Sequence, residues 1–188
     1  MDKSYEMEIA GLKRSLPICP INEKIDIAAF IMFSDVELTI AASKALLEKC
    51  PEFDVILTAE SKGIPLGYEM ARQSGKNYVV ARKSVKLYMK DVVKCETQSI
   101  TTSAKQTLYI DGDDAAYLRG KRVLIVDDVI STGGSLLSLE HLVEQARLIG
   151  VFLIRKLDAA GELDERRNPQ RVIRRGHALI RFSNAHVV

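Results

Sequence analysis

With 188 residues, 47% of them hydrophobic and 28% charged, the chain has the make-up of one globular domain with a sizeable core. Its formal net charge of +2 is too small to imply nucleic acid or a membrane surface as a partner. No apolar run approaches the length of a spanning helix, Met1-Asp2-Lys3-Ser4 lacks a signal-peptide core, and Cys19, Cys50 and Cys95 form no CxxC pair; a reduced, cytoplasmic protein is expected.

In chain order, Tyr5, Ile9 and Leu12 have helical spacing, broken by Pro17 and Pro20, and a short apolar segment follows over residues 25–33. Ser34-Asp35-Val36-Glu37 has the form of a capping box. It predicts a helix to about Lys49 with Val36, Ile40 and Leu47 on one face, closed by Pro51. Residues 54–59 read as the first strand of a sheet, and Glu60-Ser61-Lys62-Gly63 as the loop after it. A helix over residues 65–73 is predicted next, since Pro suits a first turn and Gly75 a stop. Residues 77–82 form a second strand, ending at Arg82-Lys83.

Residues 84–107 are polar, rich in Lys, Ser and Thr, and free of Pro and Gly. A connection of that length is a surface hairpin or a functional loop. Asp111-Gly112-Asp113-Asp114 lacks the full ligand series of a calcium loop and reads as a solvated turn. Strands follow at residues 123–127, 151–156 and 178–182. Strands alternating with helices argue for a parallel α/β sheet.

The organising stretch is residues 123–135. Val123-Leu124-Ile125-Val126 reads as a buried parallel strand, because such strands lack alternation. Asp127 and Asp128 end it, Val129-Ile130-Ser131-Thr132-Gly133-Gly134-Ser135 forms a small polar turn, and a helical pattern of Leu136, Leu139, Leu142 or Val143, Ala146 and Ile149 begins at once. Gly133 and Gly134 let a ligand approach the backbone. Turn amides, the helix N-terminus and the hydroxyls of Ser131, Thr132 and Ser135 can donate together to one anion. Two carboxylates would repel a phosphate, so they suit hydroxyls, or a metal-bound sugar, a few ångströms away. A ribose 5-phosphate fits both halves.

This stretch resembles the phosphoribosyl pyrophosphate (PRPP) motif of type I phosphoribosyltransferases: apolar strand, paired acids, then a Thr-Gly-Gly-Ser loop. The resemblance implies one domain over residues 1–188, an α/β fold with an open parallel sheet flanked by helices, a hood over residues 1–33 and a flexible lid over residues 84–107. Asp127 and Asp128 would then be the catalytic pair that holds the ribose hydroxyls, and residues 127–135 the 5-phosphate cradle. Glu60-Ser61-Lys62-Gly63 is similar to the family's pyrophosphate loop, with Lys62 where Arg is common, so charge survives but the planar fork is lost. Arg82, Lys83 and Lys86 would join it on the pyrophosphate, and Lys105 would contribute from the lid. Phe30, Ile31, Met32 and Phe33 would either face a flat purine or be ordinary core. Mg²⁺ is implied through PRPP with no direct ligand from the chain, as is a homodimer. No nucleophile is needed, and His141, His177 and His186 look incidental.

The implied reaction displaces pyrophosphate from C1 of PRPP by a purine nitrogen, in purine salvage. Glu-Ser-Lys-Gly with Arg-Lys is most similar to the adenine enzymes, which give AMP, with xanthine enzymes next and hypoxanthine or guanine enzymes sharing much of the rest. Lys156 stands where a 6-oxopurine enzyme would place a donor, or is a solvated strand end. The rival reading is a PRPP-sensing regulator that uses the basic residues Arg166, Arg167, Arg171, Arg174 and Arg175 on nucleic acid. Glu162, Asp164 and Glu165 beside them, and the lack of interleaved aromatics, favour a solvated charge run.

Overall fold

The computed structural model describes residues 4–23, 25–98, 105–130, 134–146 and 151–152. The N-terminal segment is a strand meander and not a helix: β1 (Ser4–Ile9), β2 (Leu12–Asn22) and β3 (Ile25–Ala28) pair antiparallel in that order. Tyr5, Ile9 and Leu12 fit a helical period, but Tyr5, Met7 and Ile9 also fit a period of two, and the turn between the strands decides. Ala10 and Gly11 both have positive φ (51° and 80°), the backbone of a tight hairpin turn, and Ile9 pairs with Leu12 across it. Pro17 and Pro20 do not break β2, because each sits where pairing changes. Pro17 ends the register with β1, and Pro20 lies beside the irregularity in the register with β3.

Helix α1 (Val36–Leu47) follows, but its cap is Asp35 and not Ser34. The Asp35 carboxylate accepts from Leu38 N at 3.0 Å, and Ser34 lies in the left-handed region at φ 67°. The shift of one residue moves the inner face too. Leu38, Thr39, Ala42, Ser43 and Leu46 are buried, whereas Val36 and Ile40 are 68% and 45% exposed. Asp35 also takes a bidentate pair from Arg14 (2.6 and 3.0 Å), and Glu37 binds the same guanidinium at 2.9 Å, so the cap doubles as the latch of the meander.

The parallel sheet is as expected. Strands β4 (Val55–Ala59), β5 (Asn77–Ala81), β8 (Val123–Val126) and β9 (Val151–Phe152) lie in the order β5-β4-β8-β9. Helix α2 (Ile64–Ser74) has Pro65 in its first turn and Gly75 at φ 68° as its stop. Apolar runs without alternation reflect burial on both faces. Ile56, Leu124 and Val126 pack with Leu38, Leu46, Leu66, Met70, Ile9 and Leu16 on one side. Val55, Leu57, Val123 and Ile125 pack on the other with Cys95, Leu108, Ile110, Leu118, Leu139 and Leu142.

The described part of residues 84–107 includes strand structure, the hairpin alternative of the sequence reading. Strands β6 (Val93–Gln98) and β7 (Lys105–Ile110) pair antiparallel with Cys95 and Leu108 buried, and residues 99–104 lie outside the described set. The Asp-rich stretch after it is not a bare turn: Asp111 stands at the N-cap position of α3 (Gly112–Leu118), and its carboxylate accepts from Lys90 N at 3.2 Å instead of from the helix. Buried Ala115 and Leu118 supply the reason, a short apolar face too brief for periodicity to reveal. Helix α4 (Gly134–Gln145) buries Leu139, Leu142 and Val143 as predicted. Among the described residues no helix is long and apolar enough to cross a membrane. The predicted strand at 178–182, Lys156, His177, His186 and the 166–175 cluster lie outside the described set.

Candidate active site

Three chain segments leave the carboxyl edge of the parallel sheet side by side: the turn 60–63 after β4, Arg82 and Lys83 after β5, and Asp127 and Asp128 after β8. In-register pairing of β4 with both neighbours brings them together, because matched strands end at one level. This edge is where open α/β sheets present ligand sites.

The acid pair is the electrostatic centre. Asp128 is only 5% exposed, and its Oδ2 is buried with no hydrogen-bond partner among the described residues. Asp127 Oδ1 accepts from Asp128 N at 3.1 Å. Burial first, and the neighbouring Asp128 charge second, push the Asp127 carboxyl up to about 7. Burial also pushes Asp128 upward, opposed in part by the Lys62 charge. Such a pair is ready to exchange a proton or to accept hydrogen bonds from a bound diol.

The turn 60–63 abuts the pair. A Cβ built on Gly63 would lie 3.1 Å from Asp127 Oδ1 and would overlap the hydroxyl of Thr58. Gly63 has an ordinary φ of −71°, so the turn needs glycine there for space and not for conformation. The Glu60–Ser61 peptide is cis. Ser61 and Lys62 are exposed toward solvent.

Glu60 organises the cations. Its Oε2 accepts from Lys83 N at 2.9 Å, and its Oε1 lies 3.7 Å from the Arg82 guanidinium and 3.8 Å from Lys86 Nζ. The Lys83 amide, then the Lys86 and Arg82 charges, hold the Glu60 carboxyl below its usual range. A carboxylate so placed aligns donors for a polyanion and is itself a poor phosphate ligand. Arg82 also exchanges two backbone hydrogen bonds with Tyr109 of β7 (2.7 and 2.8 Å), which ties the hairpin base to the cation cluster. Lys105 begins β7 opposite Gln98, at the far end of that hairpin.

The expected phosphate cradle is described only in part. Val129 is half-buried and Ile130 buried; Gly134 and Ser135 open α4, and Ser131, Thr132 and Gly133 lie outside the described residues. Of the four hood residues, Phe30 and Met32 turn into the core, while Ile31 and Phe33 are 53% and 44% exposed. Only the latter two side chains are free to meet a planar ligand. Thr58, one residue from the end of an apolar strand, brings a hydroxyl to this edge, and its one trace in sequence is a hydroxyl where Val would serve.

A phosphoribosyl transferase domain model matches residues 36–173. An adenine phosphoribosyltransferase of Rhodococcus jostii is 37% identical over 132 residues, 69% of this chain and 72% of that protein. Its Bifidobacterium longum counterpart is 34% identical over 65% of this chain, which spans 64% of that relative's length. Among solved structures, adenine phosphoribosyltransferase from Thermoanaerobacter pseudethanolicus superposes with a TM-score of 0.55 at 26% identity, covering 64% of this chain and 70% of that one. The Saccharomyces cerevisiae enzyme, solved with an imino-altritol bisphosphate and adenine, gives 0.52 at 30% identity over 65% and 70%. The family model spans well over half of the chain, the Rhodococcus relative agrees with it, and the chain belongs to the phosphoribosyltransferase family.

Proposed function

We propose that this chain is a purine salvage enzyme that transfers the 5-phosphoribosyl group of PRPP to adenine, giving AMP and pyrophosphate. The observation that carries the reading is the meeting of Asp127 and Asp128 with the Gly63 turn and the Lys62, Arg82, Lys83 and Lys86 cations on one sheet edge. The acids accept the ribose hydroxyls, and their negative charge favours the cationic sugar that develops as C1 loses pyrophosphate. The cations stabilise charge gathering on the leaving group; one preorganised donor of this kind is worth about 3 kcal/mol. Ser131, Thr132, Gly133, Gly134 and Ser135 hold the 5-phosphate, and Ile31 and Phe33 offer faces to the base. The β6–β7 hairpin acts as the lid that excludes water.

The donor set suits Mg²⁺ held mainly by substrate oxygens and water, since two adjacent carboxylates are too few for a protein cage. Bound in that way, Mg²⁺ would supply positive charge against the pyrophosphate. The reading includes a homodimer in the cytoplasm, and three free thiols suit a reducing compartment. Incubation with PRPP, Mg²⁺ and adenine, xanthine, hypoxanthine or guanine in turn tests the proposal. AMP from adenine is the expected product. Turnover of another purine alone overturns the base assignment, and no nucleotide from any purine overturns the activity.

A further inference from the structure

The Thr58 hydroxyl is buried, has no hydrogen-bond partner among the described residues, and sits in a strand whose other members are all apolar. Valine has the same shape and would fill that place without the cost of an unpaired buried hydroxyl. The position of the oxygen supplies a reason for threonine. Thr58 Oγ1 and Asp127 Oδ1 converge on the same small space beside Gly63, while Thr58 Cγ2 is turned toward Gly67 of α2.

We propose that Thr58 is a positioning residue of the phosphoribosyl site, whose hydroxyl donates to the Asp127 carboxylate and holds it against the Gly63 turn when ribose is bound. The proposal rests on the phosphoribosyl-transfer reading. Asp127 Oδ1 already accepts from Asp128 N, and a carboxylate has lone pairs for a second donor. Burial keeps Asp127 toward its neutral form in the free protein, and a donated hydrogen bond favours the ionised form that accepts ribose hydroxyls. Thr58 therefore links the ribose acids to the pyrophosphate turn.

The test compares Thr58→Val and Thr58→Ser with the parent chain, reading calorimetric affinity for PRPP with Mg²⁺, KM and kcat, and melting temperature without ligand. Thr58→Val is expected to melt at or above the parent, to bind PRPP about tenfold more weakly, the effect of losing one hydrogen bond to a charged group, and to keep its KM for the base. Thr58→Ser is expected to restore PRPP affinity. Unchanged PRPP binding in Thr58→Val overturns the assignment. So does a lowered melting temperature with proportionate loss of all activity, the mark of a merely structural residue. A parent chain that gives no PRPP binding heat overturns the phosphoribosyl reading itself, and the two failures are distinct.

Discussion

Gly63→Ala is the perturbation that most directly probes how the site is packed. The backbone there has φ −71° and ψ −13°, which alanine adopts freely, so the substitution would stabilise by about 0.4–1 kcal/mol through the unfolded chain if there were space for the methyl. Space is the matter. The new methyl would overlap Thr58 Oγ1 and stand 3.1 Å from Asp127 Oδ1 and 3.5 Å from Asp127 Cα. Thr58 has little room to yield, because it is fully buried and β-branched, so rotation about χ1 merely exchanges one γ atom for another. Overpacking costs about 1–3 kcal/mol, and overlap with a stiff γ atom puts this case at about 2–3 kcal/mol, leaving a net loss of about 1–2 kcal/mol. For a chain of this size that lowers the melting temperature by about 2–8 °C. The assay is a double-mutant cycle by thermal and urea unfolding with Thr58→Ala as the partner. In the Thr58→Ala background the methyl has room, so Gly63→Ala should become neutral or stabilising, with a coupling of about 1–3 kcal/mol. A Gly63→Ala protein as stable as the parent, or one whose loss is the same in both backgrounds, would refute the reasoning.

Asp127→Asn should make the ligand-free protein more stable at neutral pH while cutting kcat by orders of magnitude. The sign follows from the raised Asp127: the folded state binds a proton that the unfolded state has released, so stability falls as pH rises from about 4 to about 7. Urea midpoints across that window should fall more steeply in the parent than in Asp127→Asn, and equal slopes would remove the effect. Asp35→Ala should cost about 1–2 kcal/mol by urea unfolding through loss of the α1 cap, whereas Ser34→Ala should stay within about 0.5 kcal/mol; the reverse order would return the cap to Ser34. Arg122 holds Asp54 down to about 2 through hydrogen bonds from its guanidinium and amide, so that contribution to stability is present above the unfolded value near 3.8 and lost as pH falls through about 2. Arg122→Met should move the Asp54 titration, followed by NMR, toward its ordinary range. Gly134→Val should abolish PRPP binding, and retained calorimetric affinity would contradict the phosphate cradle.

Much of the architecture was present in local residue choice. The strands at 55–59, 77–81 and 123–126 are apolar runs that need burial on both faces, and Pro65 with Gly75 brackets α2. The acid pair after Val126 and the small residues behind it pointed to a ligand at that end of the sheet, since few other tasks want carboxylates directly before a hydroxyl- and glycine-rich turn. Other features depended on partners distant in the chain. Tyr5, Ile9 and Leu12 satisfy two periods, and only pairing of Ile9 with Leu12 through Ala10-Gly11 selected the strand. Asp35 won the cap over Ser34 because Arg14, 21 residues earlier, holds its carboxylate in place. Composition could not show that Glu60 marshals Arg82, Lys83 and Lys86, nor that a threonine hydroxyl lies beneath Gly63 beside Asp127. Hydrophobic period and turn chemistry act over a few residues and are therefore written in the chain. Charge alignment and steric clearance act through space, and only the packed sheet edge brings those groups within reach of one another.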